Sequence, residues 1–174
     1  MKDTAPFDLI LLLKLLAQRR IRYLLIGRWA VAQHGAPVVT ADYDLWVHPN
    51  DRRRLFQLLE TAFDAELPDP RQLNRPLVTV YVGPDKIDCF SPKKIINDEG
   101  EALAFDQVYA RADRKRSPKE KLVIRVPSID DLIALKKFTQ NDPLKRARNL
   151  EDIRYLQTIK STTRRRKKRS NPHR

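Results

Sequence analysis

Two aspartates near the middle of the chain have the spacing of metal ligands. Asp42 and Asp44 lie at the start of a predicted strand, two residues apart. Alternate side chains of a strand point to the same face of a sheet, so the two carboxylates are neighbours. They repel each other, and a divalent cation between them would relieve the repulsion. Hard oxygen ligands favour magnesium or manganese. Alone the pair is a weak signal, because surface strands and loops often carry Asp-X-Asp.

A third aspartate lies further along the chain, inside an apolar segment. Asp88 interrupts the predicted strand over residues 86–90. An unpaired carboxylate in such a strand is costly, so we expect it to have a partner. If this strand lies beside that of Asp42 and Asp44, three carboxylates meet, and such a group can hold two metal ions for in-line phosphoryl transfer. Asp88 would then act as a metal ligand or as the base for the attacking hydroxyl.

A glycine turn precedes the first pair of acids. Gly27 breaks an apolar strand, and Arg28 leads from it into a short helix that begins at Trp29. Glycine permits close approach of the backbone, and amides at the N-terminus of a helix can hold phosphate. Taken alone, this is an ordinary strand-to-helix turn.

Apolar periodicity and turn residues predict the elements that position these residues. The strand at 86–90 forms a hairpin with the one before it, across a turn at residues 83–85. The segment 91–118 shows only a short helix near 105–111. The order predicts an α/β (α+β) domain with a mixed β-sheet flanked by helices, and with further helices at the C-terminal end. The predicted helices cover residues 7–19, 29–34, 51–63, 128–138 and 144–159, and the strands cover residues 21–26, 43–47, 77–82, 86–90 and 122–126.

The composition is that of a globular domain with a basic end. Of 174 residues, 41% are hydrophobic, enough for a core, and the net charge is +13. We expect a core over residues 1–126, a helical segment packed on it over 127–160, and a basic tail over 161–174. The run of six basic residues at 164–169 is predicted to be disordered and attracted to polyphosphate, so RNA is a candidate partner. A solubilising terminus fits the same run.

Cysteine usage and hydropathy bear on the compartment. Cys89 is the only cysteine, so neither an internal disulfide nor a cysteine-based zinc site is expected, and a cytoplasmic location is predicted. The leucine-rich run over residues 9–17 is shorter than the roughly 20 apolar residues that span a bilayer, and Lys14 interrupts it. We expect a core helix and no membrane association.

Together these motifs resemble the nucleotidyltransferase superfamily that includes DNA polymerase beta. They are most similar to its small members, the minimal nucleotidyltransferases and the AbiE-type toxin nucleotidyltransferases. The shared pattern is an apolar strand ending in glycine, a helix ending in His-Gly, a Thr-X-Asp-X-Asp segment and a later aspartate within a strand. Here these are residues 24–27, 34–35, 40–44 and 87–88. The likeness continues at 126–136 and 149–153, and so covers about residues 5–158.

The resemblance implies transfer of a nucleoside monophosphate from a nucleoside triphosphate to an acceptor, with Mg²⁺ or Mn²⁺ as cofactor. The acceptor is left open between RNA, a protein and a small molecule. In this reading Asp42, Asp44 and Asp88 are both the catalytic residues and the metal ligands. The resemblance also implies four nucleotide-binding residues: Gly27, Arg28, Thr40 and Lys136.

Arg28 departs from the family pattern, which has a small residue after the glycine. Its side chain would either obstruct the phosphate pocket or grip phosphate itself. A second reading follows: a catalytically impaired nucleotide- or RNA-binding module, as a toxin–antitoxin component with a cognate partner protein. A third reading, a basic interaction protein, leaves Asp88 unexplained.

Overall fold

A computed structural model gives the fold and describes residues 7–97, 99–138 and 143–169. The helices are α1 (Leu9–Gln18), α2 (Gly27–Gln33), α3 (Arg52–Phe63), α4 (Phe105–Ala110), α5 (Ile129–Phe138) and α6 (Pro143–Arg169). The strands are β1 (Tyr23–Leu25), β2 (Tyr43–Val47), β3 (Leu77–Val82), β4 (Asp85–Phe90), β5 (Lys94–Ile96), β6 (Ala102–Ala104), β7 (Asp113–Ser117) and β8 (Leu122–Val126).

The central sheet has four strands in the order β1-β2-β4-β3. β2 pairs with β1 in the antiparallel sense and with β4 in the parallel sense, and β4 and β3 form the expected hairpin. The predicted mixed sheet with flanking helices is therefore confirmed. Two small ladders, β5–β6 and β7–β8, lie outside this sheet. Three of their four strands fall in the segment 91–118, where periodicity predicted none.

One face of the central sheet packs against the start of the chain and α3. Tyr43 of β2 points to this face, and its ring lies 4.8 Å from that of Phe7. Phe7 in turn lies 5.5 Å from Phe63 of α3. The leucine-rich helix α1 contributes fully buried side chains to the same core, as expected of a core helix. In the described part of the chain, no helix combines the length and apolar character needed to cross a membrane.

The opposite face of the sheet changes character along the strands. Asp44 and Asp88 are partners in the parallel register, and two residues further on Trp46 and Phe90 are partners. The Trp46 ring is fully buried and lies 5.5 Å from Phe105 of α4. The later half of this face is thus closed by aromatic packing, whereas the earlier half presents carboxylates.

The C-terminal helices pack on the core through leucines of α5 and α6. α6 ends at Arg169, beyond the predicted end at residue 159. The basic run at 164–169, predicted to be disordered, therefore continues the helix. Residues 170–174, the rest of the predicted tail, lie outside the described residues.

A buried ionic cluster attaches α6 to α2 and α5. Asp152 of α6 is fully buried, with its carboxylate 3.2 Å from Arg28 Nε and 2.8 Å from Lys136 Nζ. Arg28 also donates from Nη2 to the neighbouring Glu151, whose side chain is half exposed, at 2.7 Å. Two cations compensate the buried carboxylate, and each comes from a different helix.

The bend between β1 and α2 is built on a steric requirement. Gly27 has φ +65°, and a Cβ on it would lie 2.0 Å from Asp44 Oδ2. A carbon and an unbonded oxygen cannot lie 2.0 Å apart, so any side chain at residue 27 would displace the Asp44 carboxylate. Beside the bend, the Ile26 amide donates to the Asp44 carbonyl at 2.9 Å, which holds the end of β1 against β2.

Replacing Asp152 tests the ionic cluster. Asp152→Ala should lower the free energy of unfolding by about 3–5 kcal/mol, because two cations lose the carboxylate that compensates them inside the protein. Glu151→Ala, one residue earlier and more exposed, should cost less than about 1 kcal/mol. Urea unfolding of both variants measures the difference, and equal losses would contradict the cluster.

Replacing Gly27 tests the bend. Any alanine in the left-handed region costs about 1–2 kcal/mol. Gly27→Ala should cost more, because its Cβ would also collide with Asp44. Gly35→Ala is the matched control, since Gly35 has φ +98° and no atom within 4 Å of an added Cβ. Equal loss of unfolding free energy in the two variants would show that the collision is relieved without cost.

Candidate active site

The structure brings the strands of the three aspartates together. Asp44 of β2 and Asp88 of β4 are direct partners across the parallel pair and share one face. The sequence-based condition, that these two strands lie side by side, is met. Asp42 lies immediately before β2 and is exposed to solvent. Its backbone amide donates to Thr40 Oγ1 at 3.2 Å, so the threonine hydroxyl fixes the turn that leads into the strand.

Asp44 lies at the centre of the carboxylates. Its pKa is raised above the ordinary carboxyl value, first because burial removes water from the charge and next because Asp88 carries a like charge. Lys136 acts in the opposite direction, and Asp42 and Lys86 add smaller effects of opposite sign. Negative charge is therefore concentrated at one partly buried place, as the sequence pattern indicated.

Asp88 has two partners that the sequence pattern did not reveal. Its Oδ1 accepts a hydrogen bond from Thr79 Oγ1 at 2.6 Å, and its Oδ2 lies 2.8 Å from Lys86 Nζ. Thr79 is the partner of Asp88 on the hairpin strand β3. Lys86 precedes Asp88 by two residues on β4, so alternation along the strand would have placed it on the same face. Thr79 could be identified as a partner of Asp88 only once the register of the hairpin was known.

Lys86 shares the electrostatic environment of all three aspartates. Its pKa is raised, mainly by the hydrogen bond to Asp88 and further by the charges of Asp88, Asp42 and Asp44, against the opposing effect of burial. The site therefore contains a cation of its own beside the three carboxylates.

The other predicted site residues lie around this centre with different partners. Gly27 contacts Asp44 directly at the bend. Lys136 acts on Asp44 electrostatically, while its Nζ is held by Asp152. The Arg28 guanidinium reaches Asp152 and Glu151 of α6.

The carboxylate oxygens of the site are donors that suit a hard divalent cation, but those of Asp88 already have other partners. Asp42 and Asp44 offer carboxylate oxygens at the start of one strand, where like charges accumulate. Asp88 directs its oxygens to Thr79 and Lys86. Among the described residues, no three Asp, Glu, His or Cys side chains form a group that could hold a metal ion. Asp42 and Asp44 therefore offer the kind of oxygen donors that a hard divalent cation favours.

Comparison with known proteins gives matches at the level of structure. No protein-family model and no curated protein sequence matches the chain. The lincomycin-bound lincosamide antibiotic adenylyltransferase LnuA is similar, with a TM-score of 0.61, 15% sequence identity, and coverage of 90% of this chain and 98% of LnuA. The antibiotic-resistance factor ANT(2″)-Ia matches with a TM-score of 0.57 and 15% identity over 93% of this chain and 92% of its own.

A third solved structure comes from Thermotoga maritima and is assigned to the nucleotidyltransferases. It has a TM-score of 0.55 and 11% identity over 84% of this chain and 88% of its own. All three likenesses extend over most of both chains, and none of them bears on the AbiE-type subgroup. With its mixed sheet and flanking helices, the chain has the nucleotidyltransferase fold.

Proposed function

We propose that this protein transfers a nucleoside monophosphate from a nucleoside triphosphate to an acceptor, using Mg²⁺ or Mn²⁺. The observation that carries the proposal is the paired position of Asp44 and Asp88 on adjacent parallel strands, with Asp42 before the strand and Gly27 against the Asp44 carboxylate. Neither a nucleotide-binding module nor a basic interaction protein needs carboxylates gathered where they repel each other and would also repel phosphate.

In the proposed reaction, an acceptor oxygen forms a bond to the α-phosphorus of the triphosphate. The bond from that phosphorus to the oxygen bridging to the β-phosphate breaks, and pyrophosphate leaves with this oxygen. Asp88 receives the proton of the acceptor hydroxyl. Asp42 and Asp44 would hold the divalent ion, which when bound neutralises charge on the triphosphate.

The surrounding residues have supporting roles in this proposal. Gly27 lets the backbone of the bend approach the phosphates, and Thr40 fixes the turn before Asp42. Lys136 adds positive charge beside Asp44. Arg28 attaches α6 through Asp152 and Glu151. This role differs from both roles that the sequence suggested, which were to obstruct the phosphate pocket or to bind phosphate. While these two ion pairs persist, the Arg28 side chain is directed to α6. It then neither binds phosphate nor obstructs the phosphate pocket.

The acceptor stays open between RNA, a protein and a small molecule. The basic end of α6 favours a polyanion such as RNA, by an attraction that salt would weaken. The names of LnuA and ANT(2″)-Ia refer to antibiotics, which supports testing small molecules as acceptors. A cognate partner protein belongs to the alternative, a binding module that would bind a triphosphate without transferring any part of it.

Label transfer tests the proposed reaction. The protein is incubated with each α-labelled triphosphate, Mg²⁺ or Mn²⁺, and total RNA, protein extract or an antibiotic panel. Asp44→Asn should lower transfer by about a thousandfold or more, because it removes several kcal/mol of charge stabilisation in the transition state. Asp69→Asn, an exposed aspartate in the loop before β3, should transfer at the wild-type rate. Triphosphate binding without transfer to any acceptor would support the alternative instead.

The Asp44→Asn variant also tests the electrostatics of the site through its thermal stability. The pKa of Asp44 is raised in the folded protein, so its charged form costs folding free energy at neutral pH, and Asp44→Asn should raise the melting temperature in metal-free buffer. The gain should shrink as the pH falls through the raised pKa of the folded protein, and it should vanish below about 3.9, the ordinary Asp pKa, because the carboxyl is then protonated in both states. Calorimetry against pH, with Asp69→Asn as control, measures it. A lower melting temperature at neutral pH would contradict the electrostatic account.

A further inference from the structure

Asp88 differs from the other two aspartates in how its carboxylate is held. Thr79 donates to one oxygen at 2.6 Å, and Lys86 Nζ lies 2.8 Å from the other. The Asp88 side chain is only 17% exposed, so the enclosing strands limit its freedom to turn elsewhere. Short hydrogen bonds to a charged group are the stronger class and carry geometric specificity. The structure thus fixes Asp88 in an arrangement that uses both of its oxygens.

Lys86 is placed between this carboxylate and solvent. Its side chain is 38% exposed, more than that of Asp88, and it lies on the face of β4 that carries Asp88. It also interacts electrostatically with Asp42 and Asp44, which belong to another strand. The Lys86 ammonium group therefore offsets negative charge from all three carboxylates and does not act only as the partner of Asp88.

The charges of the site indicate what the Lys86 ammonium group does. Three carboxylates carry three negative charges, which one divalent ion and one ammonium group neutralise together. At a site with two divalent ions, the third carboxylate must turn an oxygen towards a metal. Here Lys86 Nζ lies 2.8 Å from that oxygen, so its positive charge would repel a second cation at this place. No group of three metal ligands exists among residues 7–97, 99–138 and 143–169.

We propose that Lys86 takes the place of a second metal ion. Asp42 and Asp44 hold a single divalent cation, while Lys86 and Thr79 hold Asp88 ready to receive the acceptor proton. This inference rests on the proposed function and refines it, since it assigns Asp88 to the acceptor rather than to the metal. It makes Lys86 a positioning residue for Asp88 and a fixed positive charge beside the phosphates. Asp88 retains lone pairs for the acceptor hydroxyl, because a carboxylate accepts about four hydrogen bonds.

Counting bound metal ions tests the inference without relying on activity. Mn²⁺ is titrated into the protein, saturated with a triphosphate analogue that cannot be cleaved between its α- and β-phosphates, and free Mn²⁺ is followed by electron paramagnetic resonance. Wild type should bind one ion per chain. Asp44→Asn should weaken this binding at least tenfold, whereas Asp88→Asn should change it by less than about twofold. Lys86→Gln, which releases Asp88, should raise the count to two.

Steady-state kinetics supply the second readout. Lys86→Ala should lower kcat about a hundredfold, as loss of a preorganised charge does, with little change in KM for the triphosphate. Lys86→Arg, which keeps the charge, should restore part of the rate. Lys94→Ala, at an exposed lysine of β5, is the matched control and should behave as wild type. Thermal unfolding establishes that each variant is folded before it is assayed.

The outcomes separate this inference from the proposed function. Two ions bound to wild type, or one ion lost in Asp88→Asn, overturn the role of Lys86 while label transfer by wild type still supports the transferase. One ion bound with no label transfer to any acceptor keeps the metal assignment and refutes the transferase. Absence of both Mn²⁺ binding and transfer refutes both.

Discussion

The contact between the Gly27 backbone and the Asp44 carboxylate is the constraint on which the site depends. A Cβ at Gly27 would stand 2.0 Å from Asp44 Oδ2, so the bend and the acid occupy adjoining space only because one of them has no side chain. The Ile26 amide bonded to the Asp44 carbonyl fixes the relative position of the two strands. Phosphate held at the bend would consequently lie beside the carboxylates that we propose as metal ligands.

Charge sets the second condition on this fold. Asp44 and Asp88 face each other where burial and like charge raise the pKa of Asp44, so the site is costly in the folded protein. Lys86 and Lys136 offset part of that cost from β4 and α5. Asp152, in turn, compensates Lys136 and joins it to α2 through Arg28. The C-terminal helix is thereby linked to the carboxylate cluster through Lys136, which pairs with Asp152 and acts on Asp44 electrostatically.

Aromatic packing explains how a polar cluster can persist beside the core. Along the parallel strands, the Asp44–Asp88 pair is followed by the Trp46–Phe90 pair, which lies beneath Phe105. The aromatic half supplies apolar burial and fixes the register, while the acidic half lies partly exposed on the two central strands. A shift of one strand by one residue in register would turn its side chains to the opposite face of the sheet. The packing that stabilises the sheet therefore also positions the acids.

Local sequence signals determined much of this protein, because they depend on near neighbours. Alternation predicted Asp42 and Asp44 on one face, Gly27 marked the bend, and apolar periodicity gave the long helices and the hairpin strands. Only the tertiary structure decided which strands are adjacent, and hence that Asp88 has Asp44 on one side and Thr79 on the other. It also gave Arg28 its partners on α6, more than a hundred residues away along the chain. Such contacts follow from how elements pack together, and no short stretch of sequence encodes them.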